Sequence, residues 1–171
     1  NGLTSLSDAQ AKSLGNVESL SLDGLASLTD PQTESLVKKE AYRGFGGLTS
    51  LTDRQAESLG QLGVLSLDGL TSLTDPQAAS LAKVSTGIGL NGLLSLTDKQ
   101  AECLGHLILL ELNGLTSITG EQAANLSEAG ELGLNGLTSL TDAQAESLGQ
   151  PGIAIGLNGL TSLTDQQAES L

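Results

Sequence analysis

The chain has 171 residues, of which 38% are hydrophobic but only 1% aromatic, and 22 are glycine. Its core must therefore be built from leucine packed on leucine, which excludes the usual globular core organised around a few large rings. The formal net charge of −13 repels phosphate backbones and anionic membranes. We therefore expect no nucleic-acid partner, and the lack of a long apolar run predicts no membrane insertion.

A repeat runs through the whole chain. The segment at 47–60 reads GLTSLTDRQAESLG, and the segment at 136–149 differs from it at a single residue. The glycine of the GL pair recurs eight times, 22 or 23 residues apart, at Gly2, Gly24, Gly47, Gly69, Gly92, Gly114, Gly136 and Gly159. No linker separates the copies, so the sequence predicts one domain over 1–171, which we interpret as a fragment of a longer array.

Each copy begins with a strand pattern. Apolar residues alternate with small or polar ones in LSLDGL at 20–25, and the same six letters recur at 65–70. Alternation with period two is typical of a strand that buries one face. The sequence therefore predicts one short strand per copy.

Each copy continues with a helix start. Thr52 can cap a helix while Gln55, three residues later, bonds back to it, and Leu51 and Ala56 are spaced as a hydrophobic staple. Gly60 follows at the position of a glycine stop. A helix of about two turns is unstable alone, so we expect stacked copies to share one parallel sheet and one row of helices.

An aspartate follows the cap in most copies. The row could suggest calcium, but each carboxylate also suits the first turn of its own helix, where the helix dipole favours an anion. We predict no metal site and no cofactor. The row consists of Asp8, Asp30, Asp53, Asp75, Asp98, Asp142 and Asp165.

The segment from 37 to 47 is the most irregular. It contains both aromatic residues of the chain and three of its seven basic residues. Arg43 and Phe45 occupy the two strand positions that other copies give to leucine or isoleucine. Because arginine and aromatic residues are enriched in binding hot spots, the candidate binding residues here are Lys38, Lys39, Tyr42 and Arg43. The alternative is a drifted copy in which the Arg43 side chain snorkels outward.

The outward side of the predicted sheet is a second candidate surface. Its positions are Ser21, Gly44, Ser66, Gly89, Glu111, Gly133 and Gly156, flanked by a row of aspartates and asparagines. This surface is smooth and nearly uncharged along its middle, which favours a weak or multivalent contact. The candidate residues are Ser66, Asp68, Asn91, Asn113 and Asn135.

Two other motifs do not indicate chemistry. GIGLNG at 87–92 matches a dinucleotide fingerprint, but that fingerprint needs a helix directly after the glycines, and the next predicted cap is Thr97. Cys103 stands where other copies have serine, and only His106 is near enough in sequence to activate it. We interpret Cys103 as a drifted helix residue, and a lone cysteine leaves the redox compartment open.

The consensus LxLxGLTSLTDxQAESLG resembles the leucine-rich repeat, and most closely the variants in which LxL is followed by a Thr-Asp pair and a helix. Similar repeats occur in large bacterial proteins. The likeness covers essentially all 171 residues. One departure concerns the turn after the strand, where many such repeats hold Asn or Cys. This chain has leucine there, as at Leu70, and places its asparagine two residues earlier, as at Asn113.

The resemblance implies an α/β leucine-rich-repeat solenoid of about eight repeats, with a parallel sheet on one face and short helices on the other. We expect a non-enzymatic scaffold that binds a protein or a glycan, or acts as a spacer, in a secreted or cell-surface protein. Two alternatives stay open. Threonine rows such as Thr49, Thr71, Thr116, Thr138 and Thr161 resemble ice- or surface-binding arrays, although Ala26 and Leu94 interrupt this one. The other alternative is an accessory domain of an enzyme.

The ends carry one more expectation. The first copy opens at Asn1 without its strand, and the last stops at Leu171 before its closing loop. Solenoids usually end in polar capping repeats, and neither terminal copy resembles one. The sequence therefore predicts that the array continues in both directions or that the chain associates end to end.

Overall fold

The computed structural model describes residues 2–37 and 41–171. Eight helices alternate with seven strands in these ranges. The helices are α1 (Asp8–Leu14), α2 (Asp30–Leu36), α3 (Asp53–Leu59), α4 (Asp75–Leu81), α5 (Asp98–Leu104), α6 (Gly120–Leu126), α7 (Asp142–Leu148) and α8 (Asp165–Ser170). The strands are β1 (Ser19–Ser21), β2 (Tyr42–Gly44), β3 (Val64–Ser66), β4 (Gly87–Gly89), β5 (Leu109–Glu111), β6 (Glu131–Gly133) and β7 (Ala154–Gly156).

All seven strands form one parallel sheet in sequence order, β1 to β7. The register is constant, so that the central residues Leu65, Ile88 and Leu110 lie side by side. These side chains are fully buried, as is Ala101 on the facing helix. The predicted fold class, an α/β solenoid with a parallel sheet on one side and short helices on the other, is confirmed.

Each helix starts as the sequence predicts. All eight helices have a complete capping box, with Ser7 as the cap of α1 and threonine in the other seven. In α5, Thr97 Oγ1 accepts from the Gln100 amide at 3.1 Å, and Gln100 Oε1 accepts from the Thr97 amide at 3.0 Å. Two backbone donors that a helix start leaves unpaired are satisfied in this way.

The capping glutamine also joins neighbouring repeats. Gln100 Nε2 donates to the carbonyl of Leu73, in the preceding repeat, at 2.9 Å. The equivalent bond recurs from Gln55 to Leu28 at 2.6 Å and from Gln167 to Leu140 at 2.9 Å. A glutamate would complete the capping box equally well, but it has no hydrogen to donate. The inter-repeat bond therefore explains why this position is always glutamine.

The strands are shorter than the alternating pattern predicts. Each has three residues, and the segment that follows folds into a tight turn. The Leu70 amide donates to the Leu67 carbonyl at 3.1 Å, which places Asp68 and Gly69 at the corner. The second half of LSLDGL is therefore a turn and not a strand.

The explanation of the helix stop also needs correction. Gly60 has φ −61° and ψ −8°, an ordinary right-handed conformation rather than the left-handed one of a glycine stop. The reason for glycine is space, because a Cβ on Gly60 would lie 2.1 Å from the Ser80 carbonyl oxygen of the next repeat.

This close approach occurs at every other helix. The same crowding affects Gly15, Gly105 and Gly149, whereas α2, α4 and α6 end on Val37, Ala82 and Ser127. The structural unit is thus a pair of repeats. Segments 47–60 and 136–149 both belong to the glycine-ending type.

Candidate functional site

The outward face of the sheet consists of three parallel rows of residues, which we call lanes. The strand register fixes lanes one and two, because the residue before and the residue after each strand centre point away from the core. Lane one is Ser19, Tyr42, Val64, Gly87, Leu109, Glu131 and Ala154. Lane two is Ser21, Gly44, Ser66, Gly89, Glu111, Gly133 and Gly156. Lane three, in the turns, is Asp23, Gly46, Asp68, Asn91, Asn113, Asn135 and Asn158.

Lane three is a hydrogen-bonded ladder. Asn91 Oδ1 accepts from the Asn113 amide at 3.1 Å, and Asn113 Oδ1 accepts from the Asn135 amide at 3.0 Å. Asp68 Oδ1 accepts from the amide and the side chain of Asn91, at 3.0 and 2.8 Å. The asparagines that we predicted as binding residues are half-buried and use their side-chain oxygens to hold adjacent turns together.

Ser66, Asp68 and Glu111 lie together beside this ladder. Ser66 Oγ donates to Asp68 Oδ2 at 2.6 Å, and Asn91 Nδ2 donates to Glu111 Oε2 at 2.9 Å. Asp68 thus has both carboxylate oxygens in hydrogen bonds, and Glu111 has its Oε2 in one. Of the candidate residues on this face, Ser66, Asp68 and Asn91 are joined by hydrogen bonds.

Tyr42 lies on the same face, near its β1 edge. Its side chain is 37% exposed. Partial burial raises the pKa of the Tyr42 phenol, and the charges of Asp23 and Asp68 raise it further. The phenol O–H therefore remains a hydrogen-bond donor at neutral pH. Lys38 and Lys39 lie outside the described residues.

Arg43 contradicts both expectations for it. The side chain is fully buried, so it neither snorkels outward nor reaches a partner on the sheet face. Its guanidinium donates to four backbone carbonyls, of Leu36 at 2.7 Å, Tyr42 at 2.8 Å, Gly15 at 3.1 Å and Glu18 at 3.3 Å. Burial lowers the pKa of Arg43. Arg43 is a structural residue that links the first two repeats.

Lane one was missed by the sequence analysis, which assigned a single outward position to each strand. Leu109 and Glu131 in this lane are neighbours across β5 and β6. They border a depression of about 250 Å³ that extends over β5, β6 and β7. Gly133 and Gly156 line it, and a Cβ at Gly133 would lie 2.9 Å from Asn113 Oδ1. The available signal was the alternation, since the residue before the first apolar position of each strand must face outward just as the residue after it does.

The three lanes have one sign of charge. They hold the carboxylates of Asp23, Asp68, Glu111 and Glu131, and none of the lane residues is lysine or arginine. Lane two, the row that was predicted to be nearly uncharged, has Glu111 as its one charged residue, and the other three carboxylates lie in lanes one and three. A face of this sign attracts cationic groups and repels anionic ones.

The capping threonines and Cys103 lie on the helix side of the solenoid, whereas the GIGLNG segment is part of the sheet face. The hydroxyls of the capping threonines are engaged, for example from Thr52 to Asp30 and from Thr97 to Asp75, both at 2.8 Å. His106 Nδ1 lies 2.7 Å from Glu128 Oε2. The GIGLNG segment is β4 and its turn, and α5 begins only at Asp98. Within 2–37 and 41–171, no helix has the length and apolarity that a bilayer crossing requires.

The comparisons with known proteins give a likeness at the level of structure. No protein-family model matches the chain, and no curated protein matches it significantly. Among solved structures, the functional domain of InlJ from Listeria monocytogenes, which includes a cysteine ladder, is similar at a TM-score of 0.38 and 15% identity. The match covers 98% of this chain and 50% of the InlJ chain, so the sequence spans about half the length of that structure.

Proposed function

We propose that this solenoid is a non-enzymatic scaffold whose sheet face binds a protein segment of positive charge. The supporting observation is the composition of the three lanes, which combine four carboxylates with no cation. Glu111 is held in place by Asn91 at 2.9 Å, so one carboxylate is already oriented before a partner arrives. Preorganisation of this kind lowers the entropic cost of binding.

The depression over β5 to β7 supplies the most distinctive part of the face. Leu109 gives it an apolar wall, and Glu111 and Glu131 give it two carboxylates. A lysine or arginine side chain suits this combination, because its aliphatic stem can pack on leucine while its charged end meets a carboxylate. An extended peptide with alternating basic and apolar residues would match the spacing of the lanes.

The electrostatic contribution can be tested with a labelled peptide that alternates arginine and leucine. The double variant Glu111→Gln with Glu131→Gln should weaken binding about tenfold, since two charge-assisted contacts are lost. The matched control is Glu57→Gln with Glu146→Gln, because both residues are exposed on helices and the change in net charge is the same. Equal weakening by both pairs would show that the peptide follows net charge alone, and no binding at all would refute the proposal.

A further inference from the structure

We propose that the depression over β5 to β7 selects arginine over lysine, so that the segment bound by the sheet face presents a guanidinium group there. This selectivity rests on the proposed function of the face, because it concerns which cationic side chain the bound segment carries. Two features of the depression favour arginine, its flat glycine floor and the separation of its two carboxylates. Both features suit a planar cation that has donors on more than one edge.

The floor of the depression is made of backbone. Gly133 and Gly156 are neighbours in lane two across β6 and β7, and both line the depression. The asparagine ladder keeps these positions free of side chains. A Cβ on Gly133 would lie 2.9 Å from Asn113 Oδ1, and a Cβ on Gly156 would lie 3.1 Å from the Oδ1 atom of the next asparagine in lane three. A planar group can therefore lie flat against the peptide bonds of this floor.

Other glycines of lane two are covered by polar side chains. A Cβ on Gly44 would lie 3.0 Å from the hydroxyl oxygen of Tyr42. A Cβ on Gly89 would lie 3.1 Å from Asp68 Oδ1 and 3.6 Å from Glu111 Oε2. The open part of the floor therefore lies at β6 and β7.

The two carboxylates of the depression are separated diagonally. Glu111 pairs with Gly133 across β5 and β6, and Glu131 comes two residues before Gly133. The strand spacing and the rise per residue therefore place Glu111 and Glu131 about 8 Å apart at their Cα atoms. Asn91 Nδ2 donates to Glu111 Oε2 at 2.9 Å from the β4 side, opposite to Glu131. This hydrogen bond holds the Glu111 carboxylate back from Glu131.

A lysine ammonium matches this arrangement less well than a guanidinium does. The ammonium is a compact, strongly hydrated charge, and two charge-assisted bonds to its one nitrogen require acceptor oxygens within about 6 Å of each other. A guanidinium is planar and more weakly hydrated, and it has N–H donors along two edges. One guanidinium on the glycine floor can thus bond Glu111 along one edge and Glu131 along another. Its aliphatic stem then packs on Leu109, which borders the depression.

Two labelled peptides of equal length test this selectivity on the 171-residue chain, one alternating arginine with leucine and the other alternating lysine with leucine. We expect the arginine peptide to bind at least about tenfold more tightly at the same ionic strength. In the double variant Glu111→Gln with Glu131→Gln, the two peptides should bind with similar affinity, because the bridged pair of contacts is lost. Equal or weaker binding of the arginine peptide to the wild-type chain would overturn the selectivity but leave the proposed function standing. Binding of neither peptide would overturn both.

The glycine floor is tested separately by Gly156→Ala, which places a methyl group on it. Circular dichroism checks that this variant remains folded, since the methyl group lies close to a ladder asparagine. We expect the affinity for the arginine peptide to fall about fivefold and the affinity for the lysine peptide to change less than about twofold. Gly120→Ala is the matched control, because it lies at the start of α6 and a Cβ there meets nothing within 4 Å. An arginine preference that a folded Gly156→Ala variant keeps unchanged, or that survives in the double glutamine variant, would overturn the proposal.

Discussion

The second and fourth repeats occupy the same register of the sheet with opposite chemistry. Arg43 in β2 and Ile88 in β4 are both fully buried at the centres of their strands. Beside Ile88, Val84 fills the corner before the strand and is 4% exposed. The residue aligned with Val84 in the second repeat is Lys39, which lies outside the described residues. At Arg43 the interior instead offers four carbonyl oxygens.

This comparison shows that the strand register and the choice of the buried central side chain have different causes. Both repeats keep the same pairing with their neighbours, so the backbone ladder and the contacts around the turns determine the position of each strand. The central side chain then needs only to suit the groups that face it. A guanidinium suits the second repeat because four carbonyl oxygens accept its hydrogen bonds. No buried side-chain polar atom of the described residues is left without a partner.

The largest loss of stability is expected from a substitution that pushes the backbones of neighbouring repeats apart. A Cβ on Gly114 would lie 2.2 Å from the Asn91 carbonyl oxygen and 2.7 Å from that of Leu93. Gly114→Val should cost at least about 3 kcal/mol or prevent folding, since a backbone atom must move. Urea denaturation measures the loss. Gly120→Ala is the control, because a Cβ there meets nothing within 4 Å, and comparable losses in both variants would contradict the close-approach explanation.

Replacing both central residues by methionine tests the comparison directly. Arg43→Met removes the donors to four carbonyls that lie in the interior, and we expect a loss of about 3 kcal/mol in the free energy of unfolding. Ile88→Met retains an apolar side chain of similar volume and should cost less than about 1.5 kcal/mol. Chemical denaturation of the two variants under one set of conditions provides the measurement. Equal costs would mean that the carbonyls do not depend on the guanidinium.

A smaller effect should distinguish the capping function of glutamine from its inter-repeat function. Gln100→Glu keeps the acceptor of the capping box but loses the bond from Nε2 to Leu73 and places a carboxylate where the side chain is buried. We expect a loss of about 2 kcal/mol. Gln10→Glu is the control, because Gln10 is exposed and its described hydrogen bonds are those of its own capping box. This variant should leave the free energy of unfolding unchanged. If Gln100→Glu also leaves the free energy of unfolding unchanged, the inter-repeat hydrogen bond does not contribute to stability.

Much of the regular repeat could be predicted from the sequence, because its signals are local. Thr52 and Gln55 are three residues apart, and spacing alone predicts their capping box. The features that sequence reasoning missed depend on contacts between repeats. Gly60 was predicted as a left-handed stop, but the reason for the glycine is the approach of Ser80, twenty positions later. Arg43 was predicted at the surface because of its residue type. Its four partners are backbone carbonyls, which every residue has, so the sequence does not indicate them.

The smallest effect on stability is expected in the early repeats, where lane three has aspartate instead of asparagine. Asp23 accepts from Ser21 Oγ and from the Gly46 amide, and these bonds, in that order, lower the pKa of its carboxyl. A carboxyl whose pKa is lower in the folded state stabilises the fold above its unfolded pKa, and that contribution is lost as the pH falls through the folded value. Asp23→Asn should therefore flatten the decline in thermal stability between about pH 5 and pH 2, while Asn113→Asp should introduce a new pH dependence in the regular repeats. Melting curves across this pH range, compared at one ionic strength, test both expectations. If Asp23→Asn leaves the slope of melting temperature against pH unchanged, the Asp23 carboxylate does not contribute to acid sensitivity.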